Sequence, residues 1–206
     1  MALFKEVRDD NAIMGIWKME ENLTELESMY EVKEAEMPVY YAFRNDRRRK
    51  EWLTVRILLR TLLGREVEIC YHPSGKPYLK DESFFISITH TIGFVGVRLA
   101  HHPVALDMEY YSKRVLHLIP RFVSVDELQY INPDYDVEMA LVMWSAKETL
   151  FKLFDISDVA FDEHLFVSDL KYGDKGVFKG RVEKDGFYAE VKLKFEIIGE
   201  LILVYC

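Results

Sequence analysis

The chain has 206 residues, half of them hydrophobic and 14% aromatic, enough to bury one large core or two small ones. Its formal net charge of −8 argues against general nucleic-acid binding. Two cysteines, Cys70 and Cys206, form no disulfide framework and lack metal-ligand spacing, which predicts a reducing compartment. Lys5, Glu6, Arg8, Asp9 and Asp10 interrupt any signal-peptide core, and no apolar run is long enough to span a bilayer. The expectation is a cytoplasmic protein with no membrane partner.

In chain order, residues 2–7 and 12–18 predict a hairpin around Arg8-Asp9-Asp10-Asn11, and a helix follows over 22–31. Trp52, Val55, Leu59 and Leu62 repeat at helical spacing, with Gly64 as the stop and Asn45 or Asp46 as the cap. Arg56 and Arg60, four apart, share one side of that helix. Between Arg44 and Arg65 stand eight basic residues against Asp46 and Glu51, a local charge of +6 in an acidic chain. Such a run is either a solvated helix face or an anion site.

The loop Tyr71 to Pro77 precedes strand-like segments at 84–89, 94–99 and 103–109. The first alternates Phe84, Ile86 and Ile88 against Phe85, Ser87 and Thr89, and the third alternates Val104, Leu106 and Met108 against Ala105, Asp107 and Glu109. A long helix covers about 136–154, and turns at 173–176, 184–186 and 199–200 divide the tail into strands. The pattern is α+β, with domains predicted over 1–101 and 102–206, the boundary falling near His101-His102-Pro103.

Three groups of residues carry candidate chemistry. Asp107 and Glu109 project from one face of a strand with Cα atoms roughly 7 Å apart, either as solvated acids or as joint ligands of a hard cation. Glu148 and Lys152 lie one turn apart on the long helix, either as an ordinary ion pair or as functional charges among Trp144, Leu150, Phe151 and Phe154. Ser87-Ile88-Thr89-His90-Thr91 ends a strand with hydroxyls and an imidazole, a plausible phosphate cradle or a structural histidine.

Taken in order, Gly75-Lys76-Pro77, the strand ending Thr89-His90, Asp107-Met108-Glu109 and Trp144-Ser145-Ala146-Lys147-Glu148 with Lys152 resemble the signature of the 4′-phosphopantetheinyl transferase superfamily, in particular its surfactin-synthetase-activating (Sfp) branch. The match covers roughly residues 44–155, with Glu148 standing 41 positions after Asp107 and a related segment from Arg121 to Glu127. Four short motifs in order are far more specific than one. The first 40 and last 50 residues carry no alignable motif.

The resemblance implies two similar α+β subdomains with the active site in the cleft between them, in a monomer. It implies transfer of the phosphopantetheine arm of coenzyme A to a serine of an acyl or peptidyl carrier protein, with release of 3′,5′-adenosine diphosphate. Asp107, Glu109 and Glu148 would hold Mg²⁺ or Mn²⁺, and Lys152 would reach the pyrophosphate. Lys76, Pro77, Thr89 and His90 would clamp the coenzyme, with Arg56 and Arg60 on its phosphates and Arg47 to Lys50 steering the carrier. Glu148, a metal-bound water or Glu127 would accept the serine proton. Two rivals remain: a non-catalytic coenzyme A or carrier-binding protein on the same fold, and a Mg²⁺-dependent phosphohydrolase or nuclease.

Overall fold

The computed structural model describes residues 3–9, 11–132 and 136–206. Ala2 and Asp10, part of the predicted hairpin, lie outside the described residues. The chain divides into two units, Met1–Pro103 and Val104–Cys206, each a mixture of helix and antiparallel strand.

In the first unit, β1 (Leu3–Arg8) and β2 (Ala12–Lys18) form the hairpin. Helix α1 (Leu23–Met29) opens on a reciprocal cap: Asn22 accepts from the Glu25 amide, and the Glu25 carboxylate accepts from the Asn22 amide. Helix α2 (Met37–Ala42) carries a proline in its first turn and was not foreseen from periodicity. Helix α3 (Asp46–Leu63) starts where the Asn45 side chain accepts from the Arg47 amide and stops at Gly64, whose φ of 67° favours glycine.

The predicted loop Tyr71 to Pro77 joins β3 (Ile69–Tyr71) to β4 (Pro77–Leu79) in a small hairpin. Then β5 (Phe85–Thr91) and β6 (Phe94–Ala100) complete a sheet ordered β1-β2-β6-β5. Helix α3 packs on this sheet through Leu53, Ile57, Leu58, Leu59 and Leu62, each worth about 1.5–3 kcal/mol when buried. Gly15 permits the approach, because a Cβ there would stand 2.9 Å from side-chain carbons of Leu58 and Leu62. Ser87, Thr89 and Thr91 are buried on the face of β5 opposite Ile86 and Ile88, so the polar half of the alternation does not mark solvent.

In the second unit, β7 (Leu106–Tyr110) leads through two 3₁₀ segments, Lys113–Arg121 and Val125–Tyr130, to α4 (Val137–Phe154). A short α5 (Phe161–His164) is followed by β8 (Leu165–Ser168), β9 (Lys175–Lys184), β10 (Phe187–Ile198) and β11 (Leu201–Tyr205). The sheet order is β7-β11-β10-β9-β8, every neighbour antiparallel. Helix α4 is held by Ala146 and Leu150 in one cluster with Phe178, Leu193, Phe195 and Val204. Among the described residues, no helix is long and apolar enough to cross a membrane.

Candidate functional site

Two places gather chemistry, one in each unit. In the second unit β7 pairs with β11 so that Asp107 stands opposite Val204 and Glu109 opposite Ile202. Strand alternation gives the two acids one face, with Leu106 and Met108 on the other, buried face. Helix α4 starts at Asp136, which accepts from the Met139 amide, and ends at Asp155 in the left-handed region. It brings Trp144, Ser145 and Lys152 to the acids of β7. Lys152 Nζ lies 2.6 Å from Asp107 Oδ1 and 3.3 Å from the Leu106 carbonyl oxygen. Ser145 Oγ donates to Asp107 Oδ2 at 2.6 Å, and Trp144 Nε1 donates to Glu109 Oε1 at 2.9 Å.

The electrostatics bind Glu148 to the same group. Burial, then the charges of Asp107 and Glu148, push the Glu109 carboxyl up to about 7, against the Trp144 hydrogen bond and Lys152. Burial first and Asp107 second also raise the Glu148 carboxyl, with Lys152 opposing. Three mutually repelling carboxylates thus share one nearby ammonium. The donor set is all oxygen and carries excess negative charge, the chemistry a hard divalent cation requires. Asp107 and Glu109 are each held by protein donors in this structure. Among the described residues, no group of three or more His, Cys, Asp or Glu side chains is arranged as a metal-holding cluster.

Sequence reasoning assigned no polar role to Trp144 or Ser145. The signal for Trp144 was spacing: Trp144, Glu148 and Lys152 recur every fourth residue, one stripe of α4. Lys147 is fully buried instead, donating to Glu127 Oε2 at 2.7 Å and to the Phe161 carbonyl at 3.0 Å. Glu127 also accepts from the amides of Ser124 at 2.8 Å and Val167 at 2.6 Å. Both its oxygens serve the fold, which leaves Glu127 poorly placed to take a substrate proton.

The first unit contains a cavity of about 350 Å³. Helix α3 lines it with Arg48, Glu51, Trp52, Val55 and Arg56, strand β5 with Ile88 and His90, and the β3–β4 hairpin with Tyr71, Gly75 and Pro77. The basic helix, the Gly-Lys-Pro loop and the strand-end histidine are therefore brought together. Lys76 sits between two lining residues but is not itself in the wall. Thr89 is buried on the strand face opposite His90.

Arg56 is mostly committed within the protein: its Nε donates to Glu36 Oε1 at 2.7 Å, and its guanidinium lies 3.2 Å from the Trp52 ring centroid. Arg60 does not line the cavity, and its Nη2 donates to the Met29 carbonyl at 2.7 Å. Arg48, grouped by sequence with the carrier-steering residues, belongs to the cavity. Trp52 and Tyr71 give this basic pocket aromatic walls that sequence reasoning did not assign to it.

Compared with protein-family models and with curated proteins, the chain matches none.

Proposed function

We propose that the protein is a divalent-cation-dependent 4′-phosphopantetheinyl transferase, moving the phosphopantetheine arm of coenzyme A to a serine of an acyl or peptidyl carrier protein. The observation that carries this reading is the electrostatic convergence of Asp107, Glu109 and Glu148 beside Lys152. Two units that each set an 18-residue helix on an antiparallel sheet support the two-subdomain fold of that family. The cavity of the first unit adds Arg48 and His90 for a polyanionic nucleotide and aromatic walls for its base.

In the reaction the serine oxygen attacks the β-phosphorus of coenzyme A, and the bond to the α–β bridging oxygen breaks, expelling 3′,5′-adenosine diphosphate. Mg²⁺ held by Asp107, Glu109 and Glu148 would supply charge neutralisation at the pyrophosphate oxygens. Ser145 and Trp144 orient the two carboxylates of β7. Lys152 adds a point charge one turn from Glu148. Glu148, its carboxyl raised by burial and by Asp107, or a metal-bound water would accept the serine proton. Arg47, Arg49 and Lys50 remain to steer an acidic carrier.

The test is intact mass spectrometry of apo carrier protein incubated with enzyme, coenzyme A and Mg²⁺. Gain of one phosphopantetheine arm, lost in Asp107→Ala, supports the assignment. An unchanged mass across several carriers, with coenzyme A still bound, favours the non-catalytic binding protein instead.

A further inference from the structure

We propose that Glu51 is a positioning residue, holding the Arg48 guanidinium and fixing the tautomer of His90 so that the cavity of the first unit captures an anionic phosphate. The inference rests on the reading of that cavity as the coenzyme's anchor.

Glu51 is only 3% exposed, and a carboxylate so buried is costly unless paired. Its two oxygens divide two arginines between them. Oε1 accepts from Arg47 Nε at 2.8 Å, and Oε2 accepts from Arg48 Nη1 at 2.8 Å. The Arg48 side chain is 52% exposed, and a long exposed cation is ordinarily mobile among rotamers. Attached to a buried partner, it is restrained at the cavity wall before any ligand arrives.

The same Arg48 Nη1 lies 2.8 Å from His90 Nε2. A guanidinium only donates, so Nε2 is the acceptor and the ring proton sits on Nδ1. That Nδ1 is 3.8 Å from Glu51 Oε2, too long for a hydrogen bond but close enough for the carboxylate's charge to favour a proton there. One arginine nitrogen thus serves both Glu51 and His90, leaving Nε and Nη2 of Arg48 for ligand oxygens. Glu51 has no direct share in binding. It acts through the two groups it orients.

The sign of one substitution separates this role from a simple charge effect. If Glu51 were merely a negative charge near an anion site, its neutralisation would tighten binding. If it positions Arg48, neutralisation weakens binding, because the ligand must then order a freed side chain.

Calorimetric titration of coenzyme A and of 3′,5′-adenosine diphosphate into wild type, Glu51→Gln, Arg48→Gln and the double variant reads this directly. We expect Glu51→Gln to weaken binding about tenfold in the wild-type background and less than about twofold in Arg48→Gln, a coupling expected only of residues acting together. Equal weakening in both backgrounds, unchanged affinity or tighter binding overturns the inference. Should Glu51→Gln fail to fold, the ¹⁵N spectrum of wild-type His90 decides: a bare Nε2 with protonated Nδ1 supports it, and the Nε2–H tautomer overturns it. A wild type that binds neither compound overturns the coenzyme reading along with this one. A binding wild type with an indifferent Glu51→Gln overturns this one alone.

Discussion

The Lys152 ammonium lies 2.6 Å from Asp107 Oδ1, one positive charge set among three acids whose carboxyls crowd one another. It offsets part of the repulsion in the absence of a cation, and it also opposes cation entry. Removing it should therefore move binding and turnover in opposite directions. Lys152→Met is expected to tighten Mg²⁺ or Mn²⁺ binding severalfold, because a like charge leaves the site. Under the proposed reaction turnover should fall by about 10²-fold, because the charge proposed to act on the pyrophosphate is lost. Metal titration followed by tryptophan fluorescence, together with a carrier-loading assay, measures both. A parallel change in the two quantities would contradict the arrangement.

Glu109 makes stability depend on pH in the less common direction. Its carboxyl is raised to about 7, above the usual carboxylate range. At low pH the proton is bound in both the folded and unfolded chains, so the group costs nothing. As pH rises from about 4.5 to about 7 the unfolded chain has released the proton that the folded chain still holds, so stability falls across that window and the loss is complete above 7. Glu109→Gln should accordingly melt higher than wild type at pH 8 without divalent cations, by about 2–4 °C per kcal/mol recovered. The difference should close by pH 4. Added Mg²⁺ should raise the melting point of wild type more than that of Glu109→Gln, and a chelator should reverse this. Scanning calorimetry at the two pH values decides it.

How far the sequence carried these sites differs between the units. The caps Asn45, Gly64 and Asp136 sit where local chemistry dictates, so α3 and α4 were legible to within about a residue. The acids of β7 were legible too, because period-two alternation fixes their shared face whatever lies around it. Their partners were not. Trp144 and Ser145 reach Glu109 and Asp107 only because α4 packs beside β7, a contact 35 and 38 residues away in sequence. Helix α2 is six residues long, too short for a hydrophobic period to declare itself. The basic run showed charge but not direction. Arg56 stacks on Trp52, Arg60 holds the Met29 carbonyl, and Arg48 alone of that trio keeps exposed donors at the cavity, a division set by tertiary packing.

Gly180 predicts a packing limit in the second unit. A Cβ there would stand 2.7 Å from a Leu193 methyl and 2.8 Å from a Leu150 methyl. Leu150 belongs to α4, two residues from Glu148, so strain at Gly180 presses on the helix that carries Glu148 and Lys152. Gly180→Val is expected to cost about 1–3 kcal/mol by overpacking. It should also reduce carrier loading more than coenzyme A binding to the first unit. Chemical denaturation and calorimetric titration test the two halves of this expectation.

Lys147 offers the sharpest stability prediction, since it is a fully buried ammonium beside Glu148 in the chain. Burial lowers its pKa, and Glu127, 2.7 Å away, opposes that shift. Lys147→Met would leave the Glu127 carboxylate buried without its counter-charge, a loss expected to cost about 3–5 kcal/mol. The double variant Lys147→Met/Glu127→Leu should not regain wild-type stability. It strands the amides of Ser124 and Val167, each worth about 1–3 kcal/mol when buried without an acceptor. This differs from the usual outcome for a buried ion pair replaced by apolar residues, and the difference comes from the two backbone donors that Glu127 also serves. Urea denaturation of the single and double variants measures it. A Lys147→Met variant within 1 kcal/mol of wild type would contradict this account of the pair.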